Sequence, residues 1–271
     1  MSTDDGSSMS TDDVVGLSLD AGLATITLRR GGASNALDRA VKEQLLTAVE
    51  KVAAADSVRA VLLAAEGKNF CVGQDLAEHV AGLEAGAAHA MDTVGEHYNP
   101  LLRALAGIRV PVVVAINGAC VGAGLGIALA GDIRVAGAGV KFATAFTGIA
   151  LAGDSGLSHT LVQALGPSRA TGLMMLGDRF TAAQALDWGL VHRVVPDAEL
   201  DDTATALARQ LANGPTAAYV QVKALVSAES AGLPEALERE RDAAELLGQS
   251  TDHRSAVDAF LAKRTPTFEG R

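Results

Sequence analysis

The residues with most to offer chemically lie at 118–130, GACVGAGLGIALA. Gly118, Gly122, Gly124 and Gly126 follow the apolar run at 110–117 and lead into an apolar helical pattern. Glycine admits positive φ and lets a ligand come right up to peptide N–H groups. A helix start leaves N–H groups without intrahelical partners and carries partial positive charge. The spacing therefore predicts a strand, a tight backbone approach and a buried helix whose first amides can hold an anionic oxygen. That oxygen can belong to a phosphate or to an oxyanion formed during a reaction, and close helix packing accounts for the glycines equally well. No phosphate-loop lysine follows them, they do not form GxGxxG after a first strand, and the chain has no GxSxG serine elbow. Its six histidines and two cysteines show no metal-ligand spacing.

Elements on both sides must position this motif. Residues 14–19 and 23–28 alternate as a β-hairpin. Residues 37–54 repeat apolar positions at helical spacing, 58–64 form a short apolar strand, and KNFCVGQDL (68–76) is a loop entering a second helical region. The pattern at 81–106 is mostly helical, with Pro100 bending or restarting it. Residues 110–116 read as a buried strand, and 133–136 and 140–142 as two short ones. From Pro167 onward the chain reads as helices at 169–176, 182–188, 201–213, 217–228, 233–247 and 251–264, with one extended segment at 190–195. Strands alternating with helices imply an α/β core with crossover connections, to which the last third adds a helical layer.

With 271 residues, 49% of them hydrophobic, the chain can bury one sizeable core. Residues 1–13 are Ser-, Thr-, Asp- and Gly-rich; they read as a disordered tail without the basic and apolar regions of a secretory signal. The apolar runs at 110–116 and 118–129 carry glycines and are broken by Asn117 and Asp132, so neither reads as a membrane span. A formal charge of −10 and 3% aromatics argue against a nucleic-acid surface. Cys71 and Cys120 lie in apolar, glycine-rich runs and read as buried reduced thiols, which fits a cytoplasmic protein.

Five ordered blocks resemble the crotonase, or enoyl-CoA hydratase/isomerase, superfamily: SNALD (34–38), KNFCVGQDL (68–76), PVVVAINGACVGAGLGIALAGDIRVA (111–136), FTAAQALDWGLVHRVV (180–195) and FLAKRTPTF (260–268). The resemblance spans about residues 14–268. It implies an α/β spiral of βαβ units at 14–200 and a C-terminal helical trimerisation region at 201–271, in a homotrimer or a dimer of trimers. It also implies an acyl-CoA thioester substrate, with coenzyme A as part of that substrate and no tightly bound cofactor or metal. In this family two backbone amides hold the thioester oxygen; by motif they fall on Gln74 and Ala123. The coenzyme lies against the loops carrying Ala36, Leu37, Cys71, Gly73, Asp75 and Leu76, Arg29 or Arg30 meets phosphates, and Lys263 in the terminal helix resembles a lysine that reaches them.

The departures from the family pattern concern the acids. Hydratases of this family carry two glutamates, where this chain has Gly126 and Phe146. Asp154 matches the aspartate of the phenylacetate-pathway isomerase branch, which YNPLLRAL (98–105) and GQD (73–75) also resemble, although Gly153 and Leu157 replace that branch's usual Pro and Gly. The resemblance implies proton transfer by Asp154 between the ends of a dienolate. Asp154 also reads as an N-cap for the helix that follows. Glu78 and His79 are placed to border an acyl pocket, His159 off the Asp154 face, Asp132 as a partner of backbone donors or an ion pair, and Trp188 in packing. The resulting reading is an enoyl-CoA isomerase. Its alternatives are a hydratase with non-standard acids and bases, or an acyl-CoA-binding protein without catalysis.

Overall fold

A computed structural model describes residues 13–86, 89–228 and 232–270. The expected tail falls almost wholly outside these residues. Strands β1 (Val15–Asp20) and β2 (Leu23–Leu28) form the expected antiparallel hairpin. The order continues with α1 (Arg39–Ala54), β3 (Ala60–Ala65), α2 (Leu76–Ala85), α3 (Asn99–Ala106), β4 (Val112–Ile116), β5 (Ala119–Val121), α4 (Ala123–Leu129), β6 (Ile133–Gly137) and β7 (Lys141–Ala143). Then come α5 (Leu157–Leu176), β8 (Phe180–Thr181), α6 (Ala182–Asp187), β9 (Arg193–Val195), α7 (Leu200–Ala212), α8 (Thr216–Ser227), α9 (Leu233–Gly248) and α10 (Thr251–Leu261). The chain is an α/β spiral of βαβ units followed by C-terminal helices.

Six strands form one sheet in the order β1-β2-β3-β4-β6-β9, parallel from β2 onward. Alternation along β3 sends Val61 and Leu63 to one face and Ala60 and Leu62 to the other. The first face packs against Val41, Leu45, Val49 and Val52 of α1 and Leu101 and Leu105 of α3. The second packs against Leu200, Ala204, Ala208 and Ala212 of α7, whose small residues at every fourth position let it lie close. A sheet buried on both faces explains why β3 and β4 read as continuous apolar runs.

Two local features depart from the sequence reading. The helical pattern at 81–106 is broken: α2 stops at Gly86, where φ is +139°, and Pro100 is the second residue of α3 after a π-turn at Val94–Tyr98. The break at Gly86 is the departure; the restart at Pro100 is one of the two outcomes expected for it, and it suits proline because the first turn needs no N–H donor. The glycine motif also contributes a strand, β5, to a second sheet ordered β5-β7-β8, so the chain passes through this small sheet before entering α4. No described helix is long and apolar enough to cross a membrane.

Candidate active site

The loop before α2 and the start of α4 meet at Gly73. Its φ is +89°, and a Cβ there would lie 3.1 Å from the Val121 carbonyl oxygen and 3.4 Å from the Ala123 nitrogen. Glycine is needed both for the turn and for the approach. The Gly73 carbonyl accepts from the Leu37 N–H at 2.8 Å, and the Asp75 N–H donates to the Leu37 carbonyl at 3.2 Å, pairing Leu37 with Gln74. In a trans peptide N–H and C=O point opposite ways, so the Gln74 N–H is aimed away from Leu37. Gly122, at φ 57° and ψ −127°, turns the chain into α4. That leaves Ala123 first in the helix, its N–H without an intrahelical acceptor. Two peptide N–H groups are thus carried on backbones in contact.

The remaining glycines of the motif pack. A Cβ on Gly124 would fall 2.6 Å from the Cys71 carbonyl oxygen, and one on Gly126 would fall 2.5 Å from both Cβ and carbonyl oxygen of Ser155. The space that a hydratase-type glutamate at 126 would use is filled by the chain next to Asp154. Phe146 is buried and occupies the second glutamate's place. Burial pushes the Cys71 thiol up to about 12, which leaves it inert as a nucleophile.

Asp154 lies between the 3-10 turn Thr147–Ile149 and α5. Its carboxylate is not the helix cap: α5 has Gly156 at the N-cap position with no side-chain cap bond, and Leu157 N–H is taken by the Asp154 backbone carbonyl. The capping role is therefore corrected; the carboxylate accepts instead from Ser155 Oγ at 2.7 Å. Burial raises its pKa above the ordinary 3.8, and the Ser155 bond offsets part of the rise. Asp154 lines a cavity of about 80 Å³ with Gln74, Leu76, His79, Met91, Thr93, Tyr98, Phe146, Ile149 and Leu151. One carboxylate thus lines a largely apolar chamber beside the loop that carries Gln74.

A polar network backs Gln74. Its Oε1 accepts from Tyr98 Oη and, at 3.3 Å, from Lys42 Nζ; its Nε2 donates to Glu78 Oε1 at 3.0 Å. Lys42 Nζ also donates to Glu78 Oε1 at 2.5 Å and Thr93 Oγ1 at 2.7 Å. Burial pushes the Glu78 carboxyl up, but hydrogen bonds from Lys42 and Gln74 with the Lys42 charge outweigh it, and the net shift is downward. Burial, then the Asp154 charge, raises the pKa of Tyr98. Lys42 and Tyr98 escaped the sequence reading. A single lysine within a helical repeat reads as a solvated charge, and the block holding Tyr98 pointed only to kinship.

Asp75 caps α2 through Glu78 N–H, and Asp38 caps α1 through Val41 N–H. Arg30 joins the two caps, 2.6 Å from Asp75 Oδ2 and 3.1 Å from Asp38 Oδ2, and binds the Ala36 carbonyl at 3.1 Å. Ala36, Leu37, Cys71, Gly73 and Asp75 are buried around this junction, while Leu76 is exposed. Arg29 pairs with Glu66 at 3.1 Å. Lys263 is exposed and falls just after α10 rather than inside it, at φ 53°. His79 lines the cavity, Glu78 braces Gln74 from behind, and His159 is exposed. Asp132 accepts from Val112 N–H and pairs with Lys223, both at 2.8 Å, and Trp188 packs on Phe180. Among the described residues no three or more His, Cys, Asp or Glu gather as a metal site.

The family model described as enoyl-CoA hydratase/isomerase matches residues 18–271. The chain belongs to this family. It is 40% identical over 254 residues to the 1,2-epoxyphenylacetyl-CoA isomerase of Escherichia coli K12, covering 93% of this chain and 97% of the relative. It is 31% identical over 247 residues to the 2,3-dehydroadipyl-CoA hydratase of the same organism, covering 91% and 94%. A solved structure from Mycobacterium abscessus described as an enoyl-CoA hydratase/isomerase superposes with a TM-score of 0.92 at 56% identity, covering 95% of this chain and all of that one. The relatives carry names of both activities, so the choice between them rests on the acids and bases of the site.

Proposed function

We propose that this enzyme moves the double bond of an enoyl-CoA between the β,γ and α,β positions with Asp154 as its single base. The observation that carries the reading is the pairing of one partly buried carboxylate with a cavity in which neither hydratase glutamate has a counterpart, the space at Gly126 being taken by Ser155 and Phe146 being apolar. The thioester oxygen is held by the N–H groups of Gln74 and Ala123. Asp154 removes a proton from the carbon between thioester and alkene, the electrons pass into a dienolate with its charge on that oxygen, and the same carboxyl returns the proton at the γ carbon. Fixed amide dipoles stabilise the charge where it develops, and losing one such donor costs about 3 kcal/mol. The apolar wall keeps the base from being solvated and raises its basicity. Proximity supplies the rest, since base and C–H share one geometry. The chemistry calls for no metal or redox cofactor.

With 3-enoyl-CoA in D₂O, the enzyme is expected to yield the 2-enoyl isomer, with solvent deuterium exchange followed by mass spectrometry. Crotonyl-CoA is expected to be hydrated far more slowly than a 3-enoyl-CoA is isomerised. His79, lining the same cavity, is the side chain that favours a hydratase. Equal or faster hydration by kcat/KM would move the assignment there.

For the C-terminal region, 201–271, the same reading gives a trimerisation role. Val226, Leu233, Phe260 and Leu261 expose large apolar side chains on or beside α8–α10, more than a monomer's helical layer needs. Light scattering is expected to give three or six chains, and a monomer would remove this role.

A further inference from the structure

We propose that Lys42 is a positioning residue for the oxyanion hole, holding the Gln74 amide in register through the Gln74 side chain. This role rests on the hole proposed above. Lys42 sits on the buried face of α1, beside Val41 and Leu45, and its side chain has no solvent exposure. Burying an ammonium is costly unless its protons are matched. Here three protons meet three acceptors: Glu78 Oε1, Thr93 Oγ1 and Gln74 Oε1. All three belong to the wall of the cavity or directly behind it, and none is needed to seat α1, whose apolar residues already pack on the sheet.

The loop itself explains the need. Gly73 has to be glycine, so the peptide joining it to Gln74 has a permissive residue on one side. The Leu37 N–H grips that peptide's carbonyl and the Asp75 N–H donates to the Leu37 carbonyl, which sets the direction of the Gln74 N–H but still lets the peptide tilt within those two bonds. Gln74 removes that freedom. Its side-chain oxygen takes protons from Lys42 and Tyr98 and its nitrogen binds Glu78, fixing both the side chain and the backbone that bears it. Lys42 and Glu78 come from different helices, α1 and α2, so their ion pair also pins the oxyanion loop to the core. A catalytic donor displaced by about 1 Å can cost about 10²-fold in rate, and partial loosening is expected to cost less.

The test compares the wild-type enzyme with Lys42→Met, Gln74→Met and the double variant, each retaining the Gln74 N–H. Each single change is expected to lower isomerase kcat by about 10–100-fold, with KM moved less than about threefold, and the double variant is expected to be no worse than the poorer single one. The infrared carbonyl stretch of bound ¹³C-labelled crotonyl-CoA is expected to be lowered by the wild-type hole and to return toward its free value in Lys42→Met. Leu45→Ala, on the same helix face, serves as a purely destabilising control and is expected to keep the wild-type stretch. Tyr98→Phe removes the other donor to Gln74 Oε1 and is expected to weaken the carbonyl shift in the same direction, which keeps the test open if Lys42→Met does not fold. Multiplying losses in the double variant, or an unchanged carbonyl stretch in Lys42→Met, would overturn the role of Lys42 while leaving the hole intact. No carbonyl shift in the wild-type enzyme would remove the hole and this role together.

Discussion

Asp154→Asn is expected to lower isomerase kcat by about 10²–10⁴-fold, the usual contribution of a positioned general base, while KM for the acyl-CoA changes little. The amide keeps the volume of the carboxylate and can still accept from Ser155 Oγ, now 2.7 Å away. It cannot take the substrate proton. Steady-state kinetics with 3-enoyl-CoA and circular-dichroism melts of the same preparations check both halves. Near-native turnover in the folded Asn variant would take Asp154 out of the mechanism and favour a protein that only binds acyl-CoA.

The direction of the Asp154 pKa shift adds two expectations. Because burial raises it above 3.8, the acid limb of kcat/KM is expected above the ordinary carboxylate range, activity falling as the base is protonated. Stability runs the other way. Between the unfolded and folded pKa values the folded chain binds more protons, so stability declines as pH rises through that window and stays lower above it. Asp154→Asn removes the partly buried charge, so its melting temperature is expected at or above wild type near pH 7, with the difference vanishing below pH about 4. A cap would give a different result: Ala would then lose stability relative to Asn, whereas the carboxylate here makes no cap bond.

The same distinction between backbone and side chain explains what could be read from the sequence. The large sheet and its covering helices were legible because 6-residue strands such as β2 and β3 and the 16-residue helix α1 are long enough to show a period. Of the second sheet only β7 was, read as a short strand at 140–142, since β5 has 3 residues and β8 has 2. Such segments are strands only by virtue of their neighbours. At the site, Gly73, Gln74, Ala123 and Asp154 were legible as motif positions, and a Cβ added to Gly73 would lie 3.4 Å from the Ala123 nitrogen, so the two motif segments pack against each other. Lys42 was illegible because its role depends on three partners that lie 32, 36 and 51 residues away. Charge alone does not say whether a helical lysine points to water or into the wall of a pocket.

Gly126→Ala is expected to destabilise the enzyme and to lower kcat out of proportion. Two effects compete. Alanine in place of an interior helical glycine is favourable by up to about 1 kcal/mol. Against that, the new Cβ would sit 2.5 Å from both the Cβ and the carbonyl oxygen of Ser155; an overpacked core costs about 1–3 kcal/mol. The obstacle is backbone, which cannot swing aside as the tip of a long side chain would, so the clash wins. A net loss of about 1–2 kcal/mol lowers the melting temperature by roughly 2–8 °C for a chain of this size. Relief comes only by moving Ser155, which carries the adjacent Asp154 carboxylate with it, and hence kcat falls further than stability alone explains. Gly172→Ala in α5, where a Cβ would meet nothing within 4 Å, is the matched control and is expected to keep both stability and turnover. Gly126→Glu would need far more room than the methyl group, so it is expected to unfold or inactivate the enzyme rather than supply the missing hydratase acid. A folded Gly126→Glu variant that hydrates crotonyl-CoA faster than the wild type would mean that the Ser155 loop yields easily, and that this single glycine, rather than the whole cavity around Asp154, separates the two activities.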